Sequence, residues 1–311
     1  MDNNQYIDTG NKPAALDVEN RADGTIILSC PYPLPEPKQS TAHLFIERAT
    51  EFPDRTLIAE KDDAGEWQHL TYGEALHGTR RVAQWLIDQG GSINAPLAII
   101  SNSSIRHFLM AWGAIIARVP YVPVSYSYST IPGAYPKFRA VLNTVKPKFI
   151  FAENLAPHLD ALSNIDTTGL HLITADKVTE DSKRLPFDST NWQALLDTMP
   201  TADVDNSVEK IDHDTVTRYM FTSGSTGMPK GVIHDHGMSC YQLASSSAVR
   251  NRSGGEKEMK VLDWMPWSHV GAGVMRIANI LEEAGSVYLD TGKPTPEDFH
   301  KTIANLGEVK P

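Results

Sequence analysis

Cysteine is scarce in this sequence. Cys30 and Cys240 are the only two, far apart and in unrelated contexts. They form neither a metal-ligand cluster nor a redox pair, and this usage fits a reducing, cytoplasmic setting. Positive charge is short as well. Lys and Arg number 28 against 38 Asp and Glu, a formal net charge of -10. A nonspecific nucleic-acid binder shows the opposite balance, although local basic pockets for phosphates stay compatible with it. Long apolar runs are missing. The longest, Leu109 to Val119, is interrupted and falls short of the roughly 20 residues that a bilayer span needs. The opening MDNNQYIDTGNKPAALD has no basic start and no apolar stretch, so it does not read as a secretion signal. What is present suffices for a core. The 311 residues are 41% hydrophobic, enough for one large domain or two smaller ones.

Residues 1–40 read as an extended lead-in, because the four prolines of PYPLPEP disfavour helix and central strand alike. From Ala42 the pattern turns helical, with Leu44, Phe45, Arg48 and Ala49 at helical spacing. TLIAE and EWQHL read as two strands joined by a DDAG turn. Thr71 and Glu74 form a capping box, followed by a helical stripe through Leu76, Thr79, Val82, Ala83, Leu86 and Ile87. Gly90 and Gly91 end that helix. Strand and helix then alternate through Thr174, which predicts an α/β fold with mostly parallel sheets covered on both faces. The domain reading is a first αβ subdomain at 41–175, a charged connector at 176–214 with a short helix near Trp192, and part of a second αβ subdomain at 215–311.

The second segment carries the chemistry. Thr222 to Gly231 reads TSGSTGMPKG, three glycines, four hydroxyls, a proline and a lysine between two apolar strands. Phosphates need converging backbone N–H groups, hydroxyls and a cation. Gly224, Gly227 and Gly231 allow close backbone approach; Thr222, Ser223, Ser225 and Thr226 donate; Lys230 adds charge. A Walker A loop does not fit, because Lys230 lies between Pro229 and Gly231 with no Ser or Thr behind it. A dinucleotide fingerprint fails too, since Gly224 and Gly227 are three apart. A phosphate loop and a plain polar turn are the readings that remain.

TSGSTGMPKG closely resembles the signature phosphate loop of the adenylate-forming enzymes, which include acyl-CoA synthetases, aryl-CoA ligases, luciferases and the adenylation domains of peptide synthetases. Every position of that signature is filled. The resemblance extends over the chain from about Gly24. ILSCPYPLPEPKQS, VPYVPVSYSYS, VLDWMPWSHVG and GSVYLDTGKPTP are similar to the feruloyl-CoA synthetase branch. It implies the N-terminal portion of the adenylate-forming fold and a two-step reaction. A carboxylate, ferulate or a related aromatic acid, attacks the α-phosphate of ATP, and the thiol of coenzyme A then displaces AMP. Lys230 and Thr226 are implied as catalytic, Lys230 as an electrostatic clamp. Residues Thr222, Ser223, Gly224, Ser225, Thr226, Gly227, Lys230 and Gly231 would bind the nucleotide with Mg2+. Trp267, His269, Val270 and Gly271 would line the acid pocket, with His269 as a positioner. No residue is assigned as a metal ligand. His234 and His236 make an H-x-H pair, but no carboxylate or cysteine cluster accompanies them, and a structural place at a helix entry is the preferred reading.

The sequence departs from that branch around His269. Ser268 stands where the branch has asparagine, and Val270, Gly271 and Ala272 stand where it has Thr-Phe-Gly. Smaller residues there leave another aryl or a medium-chain acid open. The later adenine-binding motif, the ribose-binding aspartate, the hinge and the lid lysine are not found within these 311 residues. The resemblance therefore implies a missing C-terminal lid and little or no turnover by this chain alone, with a noncatalytic nucleotide-binding module as the alternative. Missing strands would also leave an apolar surface through which the chain forms a homodimer or aggregates.

Overall fold

The computed structural model describes residues 11–176, 188–222, 227–250, 258–293 and 295–311. Of the expected site residues, Ser223, Gly224, Ser225 and Thr226 lie outside them.

The lead-in contains a small antiparallel hairpin, β1 (Asp17–Asn20) and β2 (Ile26–Ser29). Helix α1 (Thr41–Glu51) starts where Ser40 accepts from the His43 N–H, and it buries Leu44, Phe45 and Ala49. Strands β3 (Thr56–Lys61) and β4 (Trp67–Thr71) are the expected antiparallel pair. Helix α2 (Tyr72–Asp88) opens on the capping box: the Thr71 hydroxyl accepts from the Glu74 N–H at 3.2 Å, and the Glu74 carboxylate accepts from the Thr71 N–H at 2.9 Å. Thr71→Ala leaves the Glu74 N–H to water, keeps the backbone half of the box, and costs about 1 kcal/mol in urea unfolding. A variant as stable as wild type would show that the box carries no weight.

Strand β5 (Leu97–Ile99), helix α3 (Ile105–Ile116), strand β6 (Tyr121–Pro123), helices α4 (Tyr126–Thr130) and α5 (Tyr135–Val145), strand β7 (Phe149–Ala152), helix α6 (Leu159–Leu162) and strand β8 (His171–Thr174) follow. Next come β9 (Asp188–Asn191), α7 (Trp192–Leu196), α8 (Ala202–Glu209), β10 (Val216–Thr222), β11 (Lys230–Asp235) and α9 (His236–Ala248). The chain continues through β12 (Lys260–Asp263), a π-helical turn at Gly271–Arg276, α10 (Ile277–Glu282), β13 (Ser286–Leu289) and α11 (Phe299–Val309).

Among the described residues the strands form two main sheets. One has seven strands in the order β11-β10-β6-β5-β7-β8-β9, with only β10 and β11 antiparallel. The other has four, β12-β13-β3-β4, with only β3 and β4 antiparallel. Alternation in β5 shows why the larger sheet is covered twice. Leu97 and Ile99 enter the core with α1, α2, α3 and α10, whereas Ala98 and Ile100 enter the core with α5 and α6. This is the mostly parallel α/β architecture that the alternating pattern predicts.

Sheet membership does not follow the sequence boundaries at 175 and 215. Strands β10 and β11 complete the sheet of β5–β8, and β3 and β4 from the first segment pair into the sheet of β12 and β13. The stretch 176–214, expected as a connector, supplies an edge strand and two helices. The segment DSTN of β9 has no apolar alternation; it joins β8 through its backbone, reinforced by the His171 Nε2 contact to the Thr190 hydroxyl at 2.8 Å. Trp192 then packs against Phe151 at 5.5 Å.

Candidate functional site

The described ends of the TSGSTGMPKG segment lie where β10 and β11 pair. Thr222 pairs with Lys230 and Phe221 with Gly231. Lys230 and Gly231 thus belong to a strand rather than to the loop proper. Residue alternation in β10 divides its side chains. Tyr219 and Phe221 pack on the α5–α6 core, and Arg218 and Met220 are buried on the opposite side. Thr222, Gly227 and Lys230 are exposed at the mouth. Gly227 has φ +88°, in the left-handed region that a side chain disfavours. Among the described residues the hairpin end therefore offers solvent-facing backbone, a hydroxyl and a cation. Because β10 runs parallel to β6, this end lies with the carboxyl ends of β5 to β8. Ligands of open α/β sheets bind at such ends.

His234 and His236 do not act together. His234 is half-buried on β11, and burial, reinforced by the Arg218 charge, lowers its pKa. His236 lies in the first turn of α9, where Nδ1 accepts from the Thr41 N–H at 3.2 Å and meets the Thr41 hydroxyl at 2.8 Å. Burial pushes it down to about 3. Asp235 between them caps α9, accepting from the Met238 N–H at 2.8 Å. No group of three or more His, Cys, Asp or Glu side chains suited to a metal occurs among the described residues.

The second motif follows the carboxyl end of β12. Trp267 points inward: it is 5% exposed and sits edge-on to His107 at 5.2 Å and Phe108 at 6.4 Å. The Trp267 backbone N–H donates to the Ser103 hydroxyl at 3.1 Å, on the loop between β5 and α3. His269 and Val270 are exposed and Gly271 is half-buried. His269 Nδ1 accepts from the Gly271 N–H at 3.2 Å, which leaves Nε2 as the donor of the neutral ring. Of the four expected acid-side residues, then, three lie on the outer side of the turn and Trp267 anchors it to the core. A bulky ring beside the apolar helix α3 gains more from burial than from lining an open surface.

Three further contacts bear on the site. Arg218, 3% exposed, donates from Nη1 to the Gly273 carbonyl at 2.9 Å and so joins the loop strand to the π-helical turn. Arg276 pairs with Asp263 at the end of β12, at 2.5 Å. Asp263 Oδ1 also accepts from the Met265 N–H, whereas the buried Oδ2 has no partner among the described residues. Burial raises the Asp263 carboxyl pKa, opposed by the Met265 N–H and Arg276. The sequence signal for Arg218 was its charge inside the expected strand TRYMF; for Asp263 and Arg276 the spacing alone holds none.

Comparison with known proteins bears on the fold and the family. The family described as AMP-binding enzyme matches residues 45–307. The chain is 26% identical over 194 residues to indigoidine synthase of Streptomyces lavendulae, covering 62% of this chain and 13% of that protein. It is 24% identical over 301 residues to a long-chain-fatty-acid–CoA ligase of Homo sapiens, covering 93% of this chain and 42% of that one. Among solved structures, a red-emitting luciferase from Phrixothrix hirtus superposes with a TM-score of 0.68 at 18% identity, over 91% of this chain and 51% of the luciferase. VinN with 3-methylaspartate superposes with a TM-score of 0.62 at 17% identity, over 88% of this chain and 65% of VinN. The chain thus spans less than half the length of the two curated relatives, and the structural likeness places its fold with the N-terminal part of adenylate-forming enzymes. With a family match from residue 45 to residue 307, this chain belongs to the AMP-binding enzymes.

Proposed function

We propose that the chain is the nucleotide- and acid-binding part of an ATP-dependent acid–CoA ligase. The observation that carries this reading is the open β10–β11 hairpin end with Lys230 beside a glycine-rich sequence, joined through Arg218 to the turn Gly271–Arg276 that follows His269. The carboxylate of the acid attacks the α-phosphate of ATP and pyrophosphate leaves. Lys230 balances charge developing on the departing phosphates, and Thr222 with Ser223, Ser225 and Thr226 positions them. Mg2+ would arrive on the nucleotide, since the described residues hold no carboxylate cluster for it. Coenzyme A, as second substrate, would displace AMP.

The acid we favour is ferulate or a related aromatic acid, on the likeness of WMPWSH and its flanks to the feruloyl-CoA branch. Relatives named as long-chain-fatty-acid ligases make aliphatic acids the alternative. Isotope exchange between pyrophosphate and ATP, driven by cinnamic, benzoic and aliphatic acids, tests both the reaction and the acid. Exchange with aliphatic acids alone would sink the aromatic assignment. Among the described residues no helix is long and apolar enough to cross a membrane, and the cysteine usage supports a cytoplasmic site of action.

Lys230→Met removes the clamp without opening a cavity. A hydrogen bond to a charged group contributes about 1.5–3 kcal/mol, so ATP binding weakens roughly 10- to 100-fold in titration calorimetry. Equal affinity in the variant would remove Lys230 from the nucleotide site.

A further inference from the structure

A guanidinium in a protein interior is costly unless its N–H groups are filled. Arg218 is 3% exposed, and the partners it has among the described residues are neutral: the Thr217 hydroxyl at 3.3 Å from Nε, the Gly273 carbonyl at 2.9 Å from Nη1, and the Tyr121 ring at 5.2 Å. Of these, the Gly273 carbonyl alone belongs to an element remote in sequence that also carries site residues. Gly273 is in the middle of the π-helical turn Gly271–Arg276, and π-turns recur where a helix serves function rather than packing. Its far end is held separately, by Arg276 on Asp263 of β12. The turn is thus pinned at two points, by β10 of the larger sheet and by β12 of the smaller one. Beyond Arg218, β10 runs on to Thr222, which pairs with Lys230 at the mouth of the loop.

We propose that Arg218 is a positioning residue that couples the phosphate-loop strand to the acid-side turn 271–276, so that nucleotide seating at one end orders the acid-binding wall at the other. The coupling rests on the acid-activating function proposed above; the tether itself does not. A strand displaced at its loop end carries the guanidinium with it. The charge-assisted bond to Gly273 is short and directional, and it transmits that movement to one carbonyl of the turn. Among the described residues no ion pair competes with these neutral acceptors for the buried cation.

Hydrogen–deuterium exchange on the 311-residue chain tests this. Arg218→Met is expected to speed amide exchange across 271–277 at least tenfold, while Arg218→Lys, which keeps a charged donor, stays within about threefold of wild type. Exchange in α3 reports whether the fold survives; where it rises with the rest in Arg218→Met, Arg218→Gln, a neutral donor of smaller size, takes its place in the comparison. Unchanged exchange across 271–277 in the folded variant overturns the tether. In a second arm, saturating ATP is expected to slow exchange across 271–277 in wild type and not in Arg218→Met or Arg218→Gln. ATP binding by calorimetry without any response at 271–277 overturns the coupling. Absence of ATP binding in wild type refutes the proposed function and with it the coupling, and the ligand-free arm still decides the tether.

Discussion

Folding stability falls by several kcal/mol as the pH drops from 6.5 to 5. Three buried histidines cause it. Burial pushes His107 and His158 down to about 4 and His236 to about 3, all below the ordinary 6.5. The sign follows from proton binding. The unfolded chain takes up these protons near pH 6.5, and the folded chain holds out until about pH 4 to 3. The unfolded state therefore binds more protons throughout that window, and stability declines with falling pH. A tenfold change in proton affinity is worth about 1.36 kcal/mol, so at pH 5 each site has lost about 2 kcal/mol, or about 6 kcal/mol for the three. Buried carboxyls at Glu60, Asp263 and Glu282 act in the opposite direction, because burial raises them and they bind protons earlier in the folded state. Their offset enters near the carboxylate range and leaves the upper part of the window to the histidines. Urea unfolding at pH 7, 6 and 5 should show the loss, and His107→Gln should flatten the slope by one proton. Equal stability at pH 7 and 5 would contradict the buried, neutral state of these rings.

Gly273→Ala should destabilise the fold by about 3 kcal/mol, the upper part of the range for overpacking. A Cβ built on Gly273 overlaps the carbonyl oxygen of Trp267 and lies 2.8 Å from its carbonyl carbon and 3.0 Å from its Cα. All three are backbone atoms, so no rotamer change relieves the contact. Trp267 cannot withdraw easily either, being packed on His107 and Phe108 and bonded to Ser103. The Arg218 contact to the Gly273 carbonyl would shift with the backbone, so ligand binding should suffer along with stability. Gly271→Ala is the control. There the nearest atom is the His269 side-chain Nδ1 at 3.3 Å, which can give way, and a loss under about 1 kcal/mol is expected. Similar unfolding midpoints for the two variants would refute the steric account.

Much of the local structure was legible before any coordinates. The helical stripe from Leu76 to Ile87, the Thr71–Glu74 box and the alternating strands depend on residues close in sequence, and each folded as its pattern implied. The strand β9 was not legible. DSTN enters the sheet through backbone hydrogen bonds, and backbone groups are the same in every residue. The orientation of Trp267 was not legible for a different reason. An aromatic beside histidine and glycine reads equally as a pocket wall or a core anchor, and the choice falls to α3, more than 150 residues away, which supplies His107 and Phe108.

The chemistry of the candidate site divides along the same line. A phosphate-type loop is a local property: spacing of glycines, hydroxyls and one lysine within ten residues, where only short-range geometry matters. Its surroundings are not local. Arg218 meets Gly273 across 55 residues, and Trp267 meets Ser103 across 164. Such pairs depend on which strands each sheet takes up, and β5 and β7, buried on both faces, take their places through long-range packing rather than through any motif. Sequence spacing thus specified the loop's composition and the alternation of helices and strands. Long-range packing set which side chains face the loop, which are buried beneath it, and what ties them to each other.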